Sequence, residues 1–183
     1  MANTSATGGY IQPASIAVPE EDLALDVILQ GMVAGITGLA GAMVRPRWQP
    51  IQPRMPEITV TWCAIGVTLI RPDDNAAITH DPAGDGADSL VRHEDLELLA
   101  SFYGPDAALR AAMLRDGLQI AQNREALMAS GIGFVTAGEV RSVPELVNQQ
   151  WQRRQDLPIT LRRIVRRTYP VLNILSAPVS ITK

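Results

Sequence analysis

The chain has one lysine, one cysteine and two histidines among 183 residues, and aromatic side chains make up only 4%. Each shortage excludes something. A single cysteine, Cys63, rules out an internal disulfide; it lies in the apolar run from Thr59 to Ile70 and reads as a small core residue. His80 and His93 stand 13 positions apart, and no pair drawn from them and Cys63 has zinc-ligand spacing. Gly131 and Gly133 open a dinucleotide-like pattern, but Thr136 stands where the third glycine belongs, and no Gly-Lys-Ser/Thr triplet exists to cradle a phosphate. The loop opening at Asp81 has Ala83 at its third position and Arg92 at its twelfth, where a calcium loop needs a bidentate Glu. Serine occupies no nucleophile elbow, and Cys63 has no base near it in sequence. The first residues lack a positive region followed by an apolar stretch, so a secretory signal is not expected. Residues 27–44 form an uncharged run of 18, but four glycines, Gln30 and Thr37 make it too polar for a membrane span, and no membrane partner is expected.

What the chain does have is charge sorted by position. Residues 153–183 carry six Arg, one Lys and one acid, a formal +6, whereas the first 152 residues carry 9 Arg against 18 acids, a formal −9. The basic stretch is no tail. Leu157, Ile159, Leu161 and Val165 share one parity, and Thr160, Arg162, Ile164 and Arg166 share the other, which predicts a strand over 154–169 that presents Arg on a sheet surface. Such a surface suits an acidic partner, a second copy of an otherwise acidic chain, or nucleic acid.

Apolar residues make up 46% of the chain and charged ones 19%, which fits a globular protein. Residues 1–20 read as a flexible N-terminal arm and 21–183 as a single domain. Glu20, Glu21 and Asp22 suit the start of a helix running from Leu23 to Met43. That helix carries a bulky stripe (Leu25, Leu29, Met32, Ile36) and a flat one (Gly31, Ala34, Gly35, Gly38). Glycine weakens a helix interior by roughly 1 kcal/mol relative to Ala, so the flat stripe implies close approach by a neighbour, either its own sheet or another subunit. Pro46, Pro50, Pro53 and Pro56 make 45–56 an extended arm bearing Arg45, Arg47, Trp48 and Arg54, either a connector or an arm laid on a neighbour.

Further along, strands are predicted over 58–70, 90–102, 134–140 and 171–181, with a polar loop over 73–89. A helix is predicted from Gly104-Pro105-Asp106 to Asp116 with Leu109, Met113 and Leu114 inward. A second begins at Asn123 as cap and ends near Gly131. A third spans 142–150, with Ser142 and Glu145 as a capping box. This order predicts an α+β fold with a mainly antiparallel sheet flanked by helices.

Two segments then stand out together. Glu94 to Asn123 contains Ser101-Phe102-Tyr103-Gly104-Pro105, Asp116-Gly117-Leu118 and Gln122-Asn123. Phe134 to Tyr169 contains Trp151 followed by Arg154 and Asp156. With Val44-Arg45-Pro46-Arg47-Trp48-Gln49-Pro50 and Trp62-Cys63, they cover most of 23–175. This pattern resembles the bacteriophage neck or tail terminator family. The resemblance implies a structural virion protein with no enzymatic activity and no cofactor, assembled in the bacterial host cytoplasm. It implies a ring, hexameric as a rule, that ends the tail tube and joins it to the head connector. Partners would be its own copies, the connector, the tail tube protein, the sheath where there is one, and DNA in passing through the lumen. On this view Arg153, Arg154, Arg162, Arg163, Arg166 and Arg167 are expected at subunit, ring–ring or lumen contacts, and Arg45, Arg47, Trp48 and Arg54 on an inter-subunit arm. The alternative is a nucleic-acid-binding module using the Arg strand 153–167, against which stand the net charge of −3 and the presence of only Trp151 and Tyr169 for base stacking. A third reading, an enzyme built on His93 and Asp95, has no motif behind it.

Overall fold

The structure, a computed structural model, describes residues 3–16, 21–51 and 53–174. In chain order its elements are β1 (Ser15–Ile16), α1 (Asp22–Thr37), β2 (Val44–Pro46), β3 (Trp62–Pro72), β4 (Ala77–Asp81), β5 (Ala87–Tyr103), α2 (Ala107–Gly117) and α3 (Ala121–Ala129). They continue with β6 (Ile132–Ala137), β7 (Arg141–Ser142), β8 (Glu145–Val147), β9 (Gln150–Gln152) and β10 (Arg154–Tyr169). The fold is α+β and every strand pairing whose register is described is antiparallel except β2 on β3. The chain divides into two compact units: among the described residues, 3–16, 73–93 and 165–174 form one, and 21–72 with 94–164 form the other.

The larger unit holds the core. Its strand order is β10–β5–β3–β2, with β6 and β7 also on β10. Period-2 burial builds the sheet's inner face: Cys63 and Ile65 of β3, Leu96, Leu98, Ala100 and Phe102 of β5, and Leu157, Ile159 and Leu161 of β10. Leu25, Leu29, Met32 and Val33 of α1 close over that face, together with Ala107, Ala111 and Leu114 of α2 and Leu127 of α3. Each Leu, Ile, Val, Met or Phe among them contributes about 1.5–3 kcal/mol on burial. The other sheet face carries Trp62, Ala64 and Tyr103, and the proline arm comes back over it. Gly66 makes that return fit, since a Cβ there would meet the Trp48 ring at 2.9 Å and Arg47 Cβ at 3.2 Å.

Several sequence expectations need correction. α1 stops at Thr37, not Met43, because Gly38 (φ +71°) takes the left-handed cap and its N–H bonds the Ala34 carbonyl at 2.9 Å; Gly41–Met43 is a short 3-10 turn. In α2 the inward positions are Ala107, Ala111 and Leu114, while Leu109 is 57% exposed and Met113 is also at the surface. Small alanines admit the close approach of α1, which apolar bulk alone does not predict. Asn123 lies inside α3 rather than at its start, and its amide donates to the Gly117 carbonyl at 2.9 Å. Residues 142–150 form no helix. β8 and β9 make a hairpin whose turn residues Asn148 (φ +47°) and Gln149 (φ +64°) are both left-handed, the backbone a two-residue hairpin turn requires. The capping-box residues are used elsewhere: Ser142 Oγ accepts from Gln155, and Glu145 pairs with Arg154. Trp151, opposite Leu146 on that hairpin, is 70% exposed.

The smaller unit is built on strand pairing. The predicted loop 73–89 contains β4, which pairs antiparallel with β5 from Ala77↔Val91 to Asp81↔Ala87. All five β4 residues are exposed, so no alternation marked it in the sequence. Of the expected arm 1–20, residues 3–16 are described: β1 pairs with β10 (Ser15↔Thr168, Ile16↔Arg167), and Ser5 bonds both Pro170 and Leu172. Of the expected strand 171–181, residues 171–174 are described and carry no strand; the rest lies outside the described residues.

Candidate assembly surfaces

β10 separates its arginines by parity. Arg163 falls on the buried side with Leu161 and Val165 and is only 2% exposed. Its Nε and Nη2 donate to Glu94 Oε2 at 3.0 and 2.9 Å, and Nη2 also reaches Glu21 Oε2 at 3.0 Å. A buried charge needs such partners, and here a guanidinium ties the start of α1 to β5. Arg162, on the opposite parity, is half-exposed and donates to Asp95 at 2.9 Å. That ion pair takes the carboxylate that an enzyme reading would place beside His93. Ile164 and Arg166 follow on the outer parity, both exposed, whereas Arg167 is half-buried. Arg153, just before β10, is exposed, and its carbonyl accepts the Gly104 N–H at 3.1 Å.

Arg154 belongs to a network that the sequence only hinted at. Its Nε and Nη2 form a fork on Asp156 at 2.8 and 2.9 Å, and its Nη1 pairs with Glu145. The Ser101 hydroxyl bridges Asp156 to Arg47. The bonds to Asp156 first, and to Glu145, hold the Arg154 proton well above the ordinary guanidinium range, although burial works against it. The guanidinium also lies 5.6 Å from the Tyr103 ring centroid. Tyr103 stacks on Trp62 with centroids 4.3 Å apart and planes 10° from parallel. Burial first of all, and Glu145 nearby, push the Tyr103 hydroxyl pKa up, with Arg154 opposing. Burial likewise raises the Cys63 thiol far above its usual value, which leaves it unreactive in the core.

Of the arm residues, Arg47 donates to the Leu99 carbonyl at 3.3 Å and to Ser101. Arg45 donates to the Arg54 carbonyl at 2.8 Å, and Arg54 pairs with Glu57 at the surface. Trp48 is 67% exposed and Ile51 85%. The arm therefore lies on its own sheet at Arg47 and still presents large apolar side chains outward. A second open surface runs along α1. A Cβ added at Gly31 or Gly35 would meet nothing within 4 Å, so the sheet of the same chain does not approach the flat stripe at those two positions. Those glycines floor a groove of about 480 Å³ bordered by Val27, Ile28 and Ile36 of α1 and by Ala126 and Leu127 of α3.

Among the described residues no helix is long and apolar enough to cross a membrane, and no three His, Cys, Asp or Glu side chains gather as a metal site. The larger unit thus offers paired charge, exposed arginines, an apolar groove and exposed apolar side chains on its arm, which are the materials of assembly. Comparison with curated proteins gives no match. A family model described as phage neck terminator protein matches residues 23–183. With nearly all of the described fold inside that match, the chain belongs to the phage neck terminator family and is a structural protein of the virion neck.

Proposed function

We propose that the chain is one subunit of a hexameric ring that ends the tail tube and joins it to the head connector. The family match over residues 23–183 carries this reading. Support comes from the two unlike open surfaces of the larger unit, the apolar arm side chains and the glycine-floored groove. A closed ring of identical subunits needs two different patches that complement each other. The partners in this reading are its own copies, the head connector and the tail tube protein, with assembly in the host cytoplasm. Arg153, Arg162, Arg166 and Arg167 lie at ring–ring contacts or face the lumen. Arg45, Arg47, Trp48 and Arg54 lie toward the neighbouring subunit. Arg154 and Arg163 act inside their own subunit, where carboxylates already hold them.

The nucleic-acid-binding alternative draws on the same strand. Ion pairs to Asp95, Asp156 and Glu94 take up Arg162, Arg154 and Arg163, which leaves it fewer cations for phosphates than the sequence suggested. DNA contact is then limited to passage through the lumen. Electron microscopy of particles made without this chain tests the reading: separate heads and tails are expected, rejoined when the protein is supplied. Normal joined particles in its absence would sink it.

A further inference from the structure

On the arm face of the larger unit lies a cavity of about 230 Å³ lined by Arg45, Arg47, Trp48, Trp62 and Tyr103. Its chemistry is one-sided. Arg45 stands 5.6 Å from the Trp62 ring centroid, and its donors go to the carbonyls of Ala42 and Arg54. Arg47 donates to the Leu99 carbonyl and the Ser101 hydroxyl. Among the described residues neither guanidinium has a carboxylate within ion-pair distance, in contrast to Arg54, Arg71, Arg115, Arg154, Arg162 and Arg163. The Trp62 indole N–H is buried and has no hydrogen-bond partner. Arg45 and Arg47 border one half-enclosed cup, and neither is met there by an acceptor with negative charge. A carboxylate is such an acceptor.

The chain itself carries the complement. Residues 73–88 hold Asp73, Asp74, Asp81, Asp85 and Asp88 and no Arg or Lys. Asp85 is exposed in the turn between β4 and β5, and Asp74 is exposed ahead of β4, whereas Asp88 is engaged with His80. We infer that the Arg45–Arg47 cup of one copy receives the acidic β4–β5 hairpin of a second copy, with Asp85 as the leading carboxylate. This rests on the ring reading and deepens it. It gives the ring contact two different, oppositely charged faces, which fixes direction around the ring and steers encounter.

Charge reversal in the full chain tests it. Arg45→Glu alone, and Asp74→Arg with Asp85→Arg, should each weaken self-association at least tenfold by sedimentation. The two sets combined in one chain should restore it. Thermal melting checks that each variant folds, and Arg45→Gln serves where Arg45→Glu does not. Self-association unchanged in the separate reversals, or still weak in the combined chain, overturns the inference while leaving the ring intact. Should the wild-type protein fail to associate, the ring reading falls and the cup is judged directly. A peptide of residues 73–88 should then quench the tryptophan fluorescence of the full chain, and its all-Asn counterpart should bind at least tenfold more weakly. Equal binding of both peptides overturns the inference, as does quenching by duplex DNA or phosphate with none by the acidic peptide.

Discussion

Arg163 and Arg166 stand three positions apart on one strand and meet opposite environments, because parity sends one inward and the other out. Arg163 is 2% exposed and neutralised by Glu94 and Glu21; Arg166 is exposed. Removing one member of a buried pair strands the other, so Arg163→Ala should lower stability by about 3–5 kcal/mol in denaturant titration. Arg166→Ala should stay within about 0.5 kcal/mol of wild type. A similar loss for both would contradict the parity assignment. The alternation of Leu157, Ile159, Leu161 and Val165 made the inward side readable in advance. That Arg163 belongs to it follows from the same count, but its acceptors were hidden, since Glu94 lies 69 positions away and Glu21 lies 142.

Helix α1 shows what a run of small residues can and cannot tell. The cost of glycine predicted a close neighbour, and the sheet of the same chain is not that neighbour at Gly31 or Gly35. Replacing either glycine by Ala should therefore stabilise the isolated subunit, by up to about 1 kcal/mol, through helix propensity and a less flexible unfolded chain. The same change should impair ring formation if a second copy fills the groove. A destabilised subunit in thermal melting would show that the position is already filled. The β4–β5 hairpin holds a different device. His80 Nδ1 lies 2.8 Å from Asp88, and Nε2 lies 2.9 Å from Asn173 Oδ1, whose amide nitrogen is spent on the Pro82 and Gly84 carbonyls. Both ring nitrogens thus face acceptors, which favours the doubly protonated ring. The Asp88 bond first, then the Asn173 bond, raise the pKa above the ordinary 6.5, with Asp81 adding to the field. A raised folded-state value gives stabilisation that is complete below pH 6.5 and fades as pH climbs through the folded value. Amide exchange at Asn173, whose N–H bonds the Asp85 carbonyl, should quicken with pH beyond its intrinsic rise, and His80→Ala should abolish that excess. An unchanged profile in the variant would refute the latch.

The two units differ in what holds them. The larger one contains the whole principal core cluster, whereas the smaller relies on strand pairing, with all of β4 exposed. Opening free energies should follow, so hydrogen exchange in β4 and in residues 87–91 should be much faster than in β3 or in residues 96–102 of β5. Equal protection across those segments would count against the division. The α+β class, the two long strands and the Arg-bearing parity of β10 were legible in the chain, because period-2 burial and helix-compatible stripes are local patterns that neighbouring residues share; the family was legible only through the resemblance of motifs such as Ser101-Phe102-Tyr103-Gly104-Pro105. The β8–β9 hairpin, the exposed strand β4, the early stop of α1 and the Arg45–Arg47 cup were not. Each depends on a contact or a backbone conformation that distant residues impose: Arg154 drawing Glu145 out of a capping box, β5 pairing a strand with no apolar face, and a proline arm folding back on Gly66. Local periodicity writes an element into the chain, whereas the partner of a charge is chosen only when the folded backbone brings distant residues together.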